Sequence, residues 1–373
     1  MNIAANLKDM HARQAGVTLV ELMISLLLGL LLTAGIIQVF AGNRVTYAFN
    51  DGLSRIQENA RFSLDHIAYN TRMGGYSGCL SDVAIHNNLD VPNDFRDDIE
   101  NGIEGYEAND TGDDATFLAA SANPAPSANS NAWTPALPAE LNNLVIPGSD
   151  VLIVRGVSGS ARPLVTPFNT PAELVTAEPH DFLPGEVLVV SDCQKASIFQ
   201  LTNVSGSGSA VNLEHADTGG FIPGNGIAAW DAEQEYGLGS EIGRLQTYAF
   251  YVGSGAGGRP ALFQLRLARL SGSQSAFVAE ELVAGIDTMQ VRYGLDADRN
   301  GAIEAVVTAD AIVDWTVVAS VEVTLLARAA EEYGSEVDTA VYTVGGTTRF
   351  DPADDRRLRQ VFSTTVGVRN RLP

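Results

Sequence analysis

A single acidic residue inside a long apolar run constrains this chain more than any other feature of its sequence. The run opens with the segment Gly16-Val17-Thr18-Leu19-Val20-Glu21-Leu22-Met23 and continues without another charge to Phe40. A charged side chain at the centre of a membrane helix costs about 2.5–3.5 kcal/mol on insertion scales. Glu21 therefore needs a partner, and the run itself offers none. We expect that partner to come from another chain or from a chain terminus.

The run from Val17 to Phe40 is long enough to cross a bilayer, which takes about 20 residues. Lys8 and Arg13 precede the run, and no basic residue follows it immediately. This asymmetry orients the N-terminus towards the cytoplasm and places the remainder of the chain outside it. The alternative is an ordinary cleaved secretory signal that ends at the small residues of 33–35 or 40–42. The length of the run and its internal acid count against that alternative.

The helical pattern continues beyond the apolar run. Apolar residues recur at spacings of three and four, as on one face of an amphipathic helix: Phe49, Leu53, Ile56, Ala60, Leu64 and Ile67. Gly74 and Gly75 are a natural stop for such a helix. We therefore predict one helix from about residue 18 to 73, about 80 Å long. Its second half is predicted to lie against a globular domain.

The start of the run resembles the signal of type IV prepilins. The resemblance rests on Gly16, Thr18, Leu19 and Glu21, which stand at this spacing after a short basic leader. It implies that a prepilin peptidase recognises Thr18 and Leu19, cleaves between Gly16 and Val17, and N-methylates Val17. It also implies that Glu21 meets the N-terminal ammonium of a neighbouring subunit, since each charge relieves the burial cost of the other. Members of this family usually begin with Phe, whereas this chain has Val17.

Further segments resemble the PilW family of minor pilins: 57–62, 72–79, 189–193, 295–301 and 355–366. The resemblance implies a minor pilin that primes pilus assembly, can cap the tip, and supports twitching motility and adhesion. The implied partners are the prepilin peptidase, other minor pilins, the major pilin, the inner-membrane assembly platform and a tip adhesin. The implied location is the inner membrane, with a periplasmic head, and afterwards the pilus. Two alternatives stay open: a minor pseudopilin of the GspJ type in a type II secretion system, and a membrane-anchored periplasmic binding protein.

These features divide the chain into four parts. A cleaved leader (1–16) precedes the membrane-spanning part of the helix (17–41), which is followed by its amphipathic part (42–75) and by a periplasmic, β-rich head (76–373). Within the head, apolar runs separated by turn residues predict strands at 144–146, 151–154, 186–191, 197–201, 245–252, 262–270, 286–293, 317–326 and 358–368. The predicted fold class is α+β and pilin-like, with a long helical spine packed on an antiparallel β-sheet head with long loops.

Residues 82–143 are predicted to form a long acidic surface loop. Eleven acids stand against one base, Arg96, between residues 82 and 114, and residues 119–139 are rich in Ala, Asn, Ser and Pro. Little periodicity is present, which favours a mobile excursion over a loop that contacts a partner.

The formal net charge of −22 argues against nucleic-acid binding, which needs a basic footprint. The chain has two cysteines, Cys79 and Cys193. If the head is exported, an even pair suggests one disulfide. Two buried free thiols are the alternative.

One segment resembles the first half of a calcium-binding loop. Oxygen-bearing side chains alternate at Asp296, Asp298 and Asn300, Gly301 can supply a sharp turn, and Glu304 follows. The motif is incomplete, because the position of the expected bidentate glutamate is Val307. An Asx-rich turn needs the same residue types. Calcium and a plain turn therefore remain alternatives, and no other cofactor is predicted.

The chain is predicted not to be an enzyme. Its five histidines form no metal-binding pair of the H-x-x-x-H kind, and no G-x-S-x-G elbow stands at a strand-to-helix turn. The glycine-rich stretches are followed by no Lys-Ser/Thr pair, so they are interpreted as loops rather than phosphate-binding segments.

Overall fold

The computed structural model describes residues 16–78, 84–111, 116–158, 160–168, 173–217, 219–226, 230, 232–333, 336–346 and 348–371. By its internal contacts the chain divides into two units, residues 1–51 and 52–373. Helix α1 runs from Leu19 to Arg72, one residue from each predicted end. The helix is long and apolar enough to cross a membrane.

The second half of α1 forms part of the core of the larger unit. Its buried face consists of Gly52, Ile56, Ala60, Ser63, Leu64, Ile67, Ala68 and Thr71. Ile56 and Ile67 are at most 1% exposed, and they pack in one cluster with Phe250, Val252 and Leu325 of the sheets. Full burial of such side chains is worth about 1.5–3 kcal/mol each. The predicted amphipathic face is therefore confirmed from Ile56 to Ile67, whereas Leu53 is only partly buried and Phe49 is exposed.

The helix ends at a glycine turn. Gly75 takes a φ of +71°, which a side chain would disfavour. Its N–H donates to the backbone oxygen of Arg155 at 2.8 Å, which leads the chain away from the helix and onto the sheet.

The rest of the chain is largely β structure. A second helix, α2, is a single turn at Asp94–Asp97. The strands are β1 (Ala84–Asn87), β2 (Ile103–Ala108), β3 (Thr116–Leu118), β4 (Trp133–Thr134), β5 (Val151–Val157), β6 (Arg162–Pro163), β7 (Glu173–Thr176), β8 (Val187–Ser191), β9 (Lys195–Gln200), β10 (Asn203–Ser207), β11 (Ala210–Glu214), β12 (Glu241–Ser254), β13 (Pro260–Ser271), β14 (Gln274–Ala284), β15 (Ile286–Leu295), β16 (Ala305–Val307), β17 (Val318–Glu332), β18 (Tyr342–Val344), β19 (Thr348–Asp351) and β20 (Arg357–Gly367). Short 3-10 helices lie at Ser130–Ala132, Ala139–Leu141, Ala232–Gln234, Ala256–Gly258, Ala309–Ala311, Trp315–Val317 and Arg369–Arg371.

These strands form four sheets within the described residues. The largest follows the order β1-β9-β8-β12-β5-β2-β4, with β13 beside β12, β14 beside β13, and β6 beside β12. A four-stranded sheet has the order β16-β15-β17-β20, and two three-stranded sheets have the orders β10-β11-β7 and β18-β19-β3. Pairing is antiparallel except for β1 with β9 and β3 with β19. A long apolar helix on a mostly antiparallel β-rich body confirms the predicted α+β, pilin-like class.

Most of the predicted strands are present. The turn at 192–194 joins β8 to β9, and the glycine-rich segment 253–258 joins β12 to β13, as predicted. Residues 144–146 are an exception, since they form no strand. Ile146 donates one backbone hydrogen bond to Val252, at 2.9 Å, and is held by burial instead.

The prediction of a long surface loop over 82–143 is wrong. Strand β2 lies inside the largest sheet between β4 and β5, and Phe95, Tyr106 and Trp133 are buried in a shared cluster. The many acidic residues of this segment did not mean that it is exposed, because basic residues far away in the sequence pair with some of them. Glu104, for example, contacts Arg155 at 2.5 Å.

Asp150 joins the largest sheet to the four-stranded one. Its buried carboxylate accepts the backbone N–H of Ala108 on β2 at 2.9 Å and that of Val291 on β15 at 2.8 Å. Beside it, Gly105 of β2 leaves space for Tyr293 of β15. A Cβ at position 105 would stand 1.8 Å from the Tyr293 hydroxyl oxygen. The contact between the two sheets therefore requires glycine at this position.

We expect Gly105→Ala to lower the free energy of unfolding by about 1–3 kcal/mol, because Tyr293 must move out of a close-packed position. Denaturant unfolding of the detergent-solubilised chain measures this, and Trp315, whose ring lies 5.0 Å from that of Tyr293, reports on the site by fluorescence. Gly237→Ala is the matched control, since nothing lies within 4 Å of its added Cβ. Equal stability of the two variants would contradict the prediction.

A buried ion network ties β20 to its surroundings. Arg359 contacts Asp287 at 2.7 Å, Asp338 at 3.1 Å and Asp355 at 2.8 Å, and its side chain is 1% exposed. Burial works to raise the pKa of Asp355, but hydrogen bonds from Arg359 and Arg357 outweigh it and lower the pKa to about 2. The ionised form of Asp355 therefore stabilises the fold.

The stabilisation by Asp355 should be complete above its ordinary pKa of about 4 and should disappear as the pH falls towards about 2. We expect Asp355→Asn to cost about 1–3 kcal/mol at neutral pH and progressively less between about pH 4 and pH 2. Denaturant unfolding at several pH values measures the difference between the two proteins. The comparison isolates Asp355 from Asp287, whose pKa burial raises. A difference independent of pH would contradict the assignment.

Candidate functional site

The predicted processing site lies just before α1. Gly16, Val17 and Thr18 are not helical, and the helix begins at Leu19. Residues 1–15, including Lys8 and Arg13, lie outside the described residues. The bond between Gly16 and Val17 is thus in an exposed, non-helical segment, and no other atom lies within 4 Å of a Cβ built on Gly16. A peptidase needs an accessible bond outside regular structure, and this bond meets that requirement.

Thr18 and Glu21 form a capping box at the start of α1. The Glu21 N–H donates to the Thr18 hydroxyl oxygen at 3.2 Å, and the Glu21 Oε2 accepts both the backbone N–H and the hydroxyl of Thr18, each at 3.1 Å. The prediction that the apolar run offers Glu21 no partner is therefore wrong. The signal was the T-x-x-E pattern before an apolar run, which is typical of such caps.

The capping box leaves part of the glutamate available. Both bonds from Thr18 reach Oε2, and no hydrogen bond to Oε1 occurs in the part of the chain that the structure describes. The carboxylate also lies in the first turn, where negative charge is favoured by the helix dipole. Glu21 is thus held in a defined position by its own chain while one oxygen can accept a further donor.

The apolar part of α1 presents a continuous exposed surface. Every side chain from Leu19 to Phe40 is exposed in this unit. The hydroxyls within it are internally satisfied, since Ser25 donates to the Glu21 carbonyl and Thr33 to the Gly29 carbonyl, each at 2.7 Å. Polar groups paired within the helix are what a bilayer interior or a bundle of apolar helices requires.

The structure brings together three of the four predicted metal ligands. One carboxylate oxygen each of Asp296, Asp298 and Glu304 can lie within 4.8 Å of the others. Asn300 does not join them in the same way. Its oxygen accepts the N–H of Ala302 at 2.7 Å, and its amide nitrogen donates to Asp298 at 2.8 Å.

The same segment is also a well-formed Asx turn. Asp296 is 2% exposed and accepts the N–H of Asn300 at 2.9 Å and that of Gly301 at 2.8 Å. Arg299 and Gly301 take positive φ angles, which the tight turn needs. A set of carboxylate oxygens fits a hard cation such as calcium, so calcium binding stays a prediction.

The predicted disulfide involves one residue outside the described residues, Cys79. Cys193 lies in the turn between β8 and β9 with a φ of 71°. Gly78 lies close to that region, since a Cβ built on it would be 2.9 Å from the Cβ of Ser191. The disulfide between Cys79 and Cys193 stays a prediction.

Comparison with known families gives two matches. The model of the prokaryotic N-terminal methylation motif matches residues 11–37, which contain the capping box and the predicted cleavage site. The model described as type IV pilus-assembly protein W (PilW) matches residues 249–370, from within β12 to the last helical turn. These two matches support a PilW-like type IV pilin. No curated protein and no solved structure matches it.

The PilW-like match gives the two ends of the chain a common interpretation. The methylation motif covers most of the apolar part of α1, and the PilW match covers the four-stranded sheet together with β13, β14 and the end of β12. A type IV pilin interacts with other pilus components and is processed by a prepilin peptidase. An apolar helix near the N-terminus is consistent with an inner-membrane anchor.

Calcium is expected to raise the melting temperature of the chain, because it would bind the folded loop and not the unfolded one. Asp298→Ala should abolish this rise, since it removes one of the three converging carboxylates. Thermal unfolding with calcium, and with chelator in its place, measures the shift.

Asp314→Ala is the matched control for the calcium experiment. Asp314 is a nearby acid outside the cluster that caps the 3-10 helix at Trp315–Val317. Its loss should change the baseline stability and leave the calcium shift intact. Absence of any shift in the unmodified chain would leave the Asx turn as the function of the loop.

Proposed function

We propose that this chain is a minor pilin of the type IV pilus, which belongs to a complex that primes pilus assembly and caps the tip. The observation that carries the proposal is the position of Glu21, an acid held at the start of a fully exposed apolar helix with one oxygen available. In this proposal Gly16 and Val17 flank the bond cleaved by the prepilin peptidase, and Val17 is then N-methylated.

The electrostatics of Glu21 support an assembly role. A carboxylate in an apolar medium attracts an ammonium strongly, because little solvent screens the pair. The pair also offsets part of the desolvation cost of both charges. The N-terminal ammonium of a neighbouring subunit provides such a partner where two helices lie side by side. Glu21 would then favour assembly over the isolated subunit in the membrane.

The head supports the role of a primer or cap. Residues 52–373 form one compact unit with four sheets, and most of the acids that give the chain its net charge of −22 lie there. A bulky, acidic head repels its own copies, so a shaft made of many such subunits is disfavoured. A subunit present in few copies avoids this cost, and a structural rather than a catalytic role follows.

The proposed location and partners follow from the same arrangement. Before assembly the apolar part of α1 anchors the chain in the inner membrane with its head in the periplasm. The chain then joins other minor pilins and the major pilin on the inner-membrane assembly platform, and a tip adhesin is a further partner. In the pilus it supports motility and adhesion from the tip.

The proposal predicts a mature N-terminus at N-methyl-Val17 and a several-fold loss of pili in Glu21→Ala, because the substitution removes the acceptor for the neighbouring ammonium. Mass spectrometry of the protein from its native membrane and counting of surface pili measure the two. Glu21→Asp is the matched control, since it retains the charge.

Three other outcomes would contradict the proposal. A mature N-terminus near residue 35 or 42 would mean an ordinary secretory signal and no helical anchor. A loss of protein secretion with pili intact would mean a pseudopilin. Normal pili and normal secretion in Glu21→Ala would mean a membrane-anchored binding protein that forms no polymer.

A further inference from the structure

Strand β20 is a long edge of the four-stranded sheet. In the described part of the chain it pairs only with β17, and the register from Arg359 to Gly367 runs without a shift opposite Arg328 to Ser320. Ser363, Thr365 and Gly367 are exposed. One side of this strand therefore presents unpaired backbone groups to solvent.

The hydrogen-bond pattern identifies which backbone groups face outward. The N–H of Val368 donates to the Ala319 carbonyl at 2.9 Å, so these two residues are a hydrogen-bonded pair. In an antiparallel ladder such pairs alternate with pairs that do not exchange hydrogen bonds. The backbone N–H and C=O groups of the alternate residues therefore point away from β17: Val361, Ser363, Thr365 and Gly367.

This edge lacks the features that protect exposed edges. The segment Gln360–Gly367 contains no charged residue and no proline in a chain that carries 68 charged side chains, 45 acidic and 23 basic. Another long edge in the described residues, β14, carries Glu280 and Glu281, and its pairing with β13 is broken by two register shifts. Charges and bulges at an edge prevent unwanted pairing. Gln360–Gly367 contains neither feature, because the two arginines of β20 and the register shift in its pairing with β17 lie before this segment, and this indicates an edge that another strand covers.

Both faces of β20 are left partly uncovered at the edge. Phe362 and Leu358 are only partly buried beside the core that includes α1, and Val361 is partly buried beside Phe350 on the opposite face. One additional strand would complete both clusters. Its own side chains would need to be apolar on both faces where they meet these clusters, and uncharged along the contact.

We propose that Gln360–Gly367 is a docking edge, to which an extended, uncharged segment of a different protein of the pilus assembly adds as a fifth strand. Charge favours a different protein over a second copy, because two heads of the same strongly acidic chain repel each other. The proposal names a contact surface for the function proposed above and rests on it.

The first test compares Thr365→Pro with Thr365→Val in the full-length chain. Thr365 lies opposite Glu322 in a pair that exchanges no hydrogen bond, so proline there removes an outward N–H and no bond to β17. Valine keeps the N–H and the shape of threonine. We expect a several-fold loss of co-purified minor pilins and of surface pili with proline, and no loss with valine.

The second test does not depend on a variant. Amide hydrogen exchange is measured on the full-length chain in detergent, alone and in complex with the co-purified minor pilins. The N–H groups of Val361, Ser363 and Thr365 should exchange on the order of tenfold more slowly in the complex, because a hydrogen-bonded amide must open before it exchanges. Those of Phe362 and Thr364 should be protected in both.

The outcomes separate this proposal from the function on which it rests. If Glu21→Ala abolishes pili while Thr365→Pro does not, or if the outward amides exchange equally fast in the complex, the docking edge is wrong and the minor-pilin function stands. If these amides become protected in the chain alone as it dimerises, the occupant is a second copy and the proposal is also overturned. Normal pili in Glu21→Ala would instead remove the function itself.

Discussion

The packing of one face of α1 on the sheets is the interaction on which the larger unit depends. Ile56 and Ile67 are almost fully buried against residues from both the largest and the four-stranded sheet. Because this cluster draws residues from each of them, the two sheets share one core with the helix. The same helix carries the apolar segment, so the element that completes the core also contains the stretch that is long and apolar enough to cross a membrane.

The junction between the two sheets shows how few residues such a connection needs. Asp150 accepts one backbone N–H from each side, and Gly105 provides the space for Tyr293. Burying a carboxylate is costly unless it is hydrogen-bonded, and both of its oxygens are. The ion network around Arg359 holds β20 in a similar way, since three carboxylates surround one guanidinium. Buried polar and charged groups thus position strands that apolar packing alone would leave free to slide.

Local patterns predict the parts of this fold that are made of local interactions. The spacing of Ile56, Ala60 and Ile67 predicts α1 and its buried face, and the glycine-rich turn between β12 and β13 predicts their hairpin. Local patterns give the wrong prediction for the acidic segment over 82–143, because Glu104 contacts its partner Arg155 only in the folded chain. The orientation of the Asn300 amide also cannot be predicted from the spacing of residues in the sequence. The hydrogen bonds between Thr18 and Glu21 were predictable, since the T-x-x-E spacing is a local pattern of helix caps.

The capping box has an electrostatic consequence for the processed chain. Cleavage after Gly16 would create a new ammonium at Val17, one residue before the helix cap and close to the positive end of the helix dipole. A cation at that end destabilises a helix, whereas an anion in the first turn stabilises it. The negative charge of Glu21 would therefore offset the positive charge that cleavage creates at Val17. The first turn of the helix would then stay formed after the leader is removed. The carboxylate that we propose to bind a neighbour would thus also keep the shortened chain helical to its end.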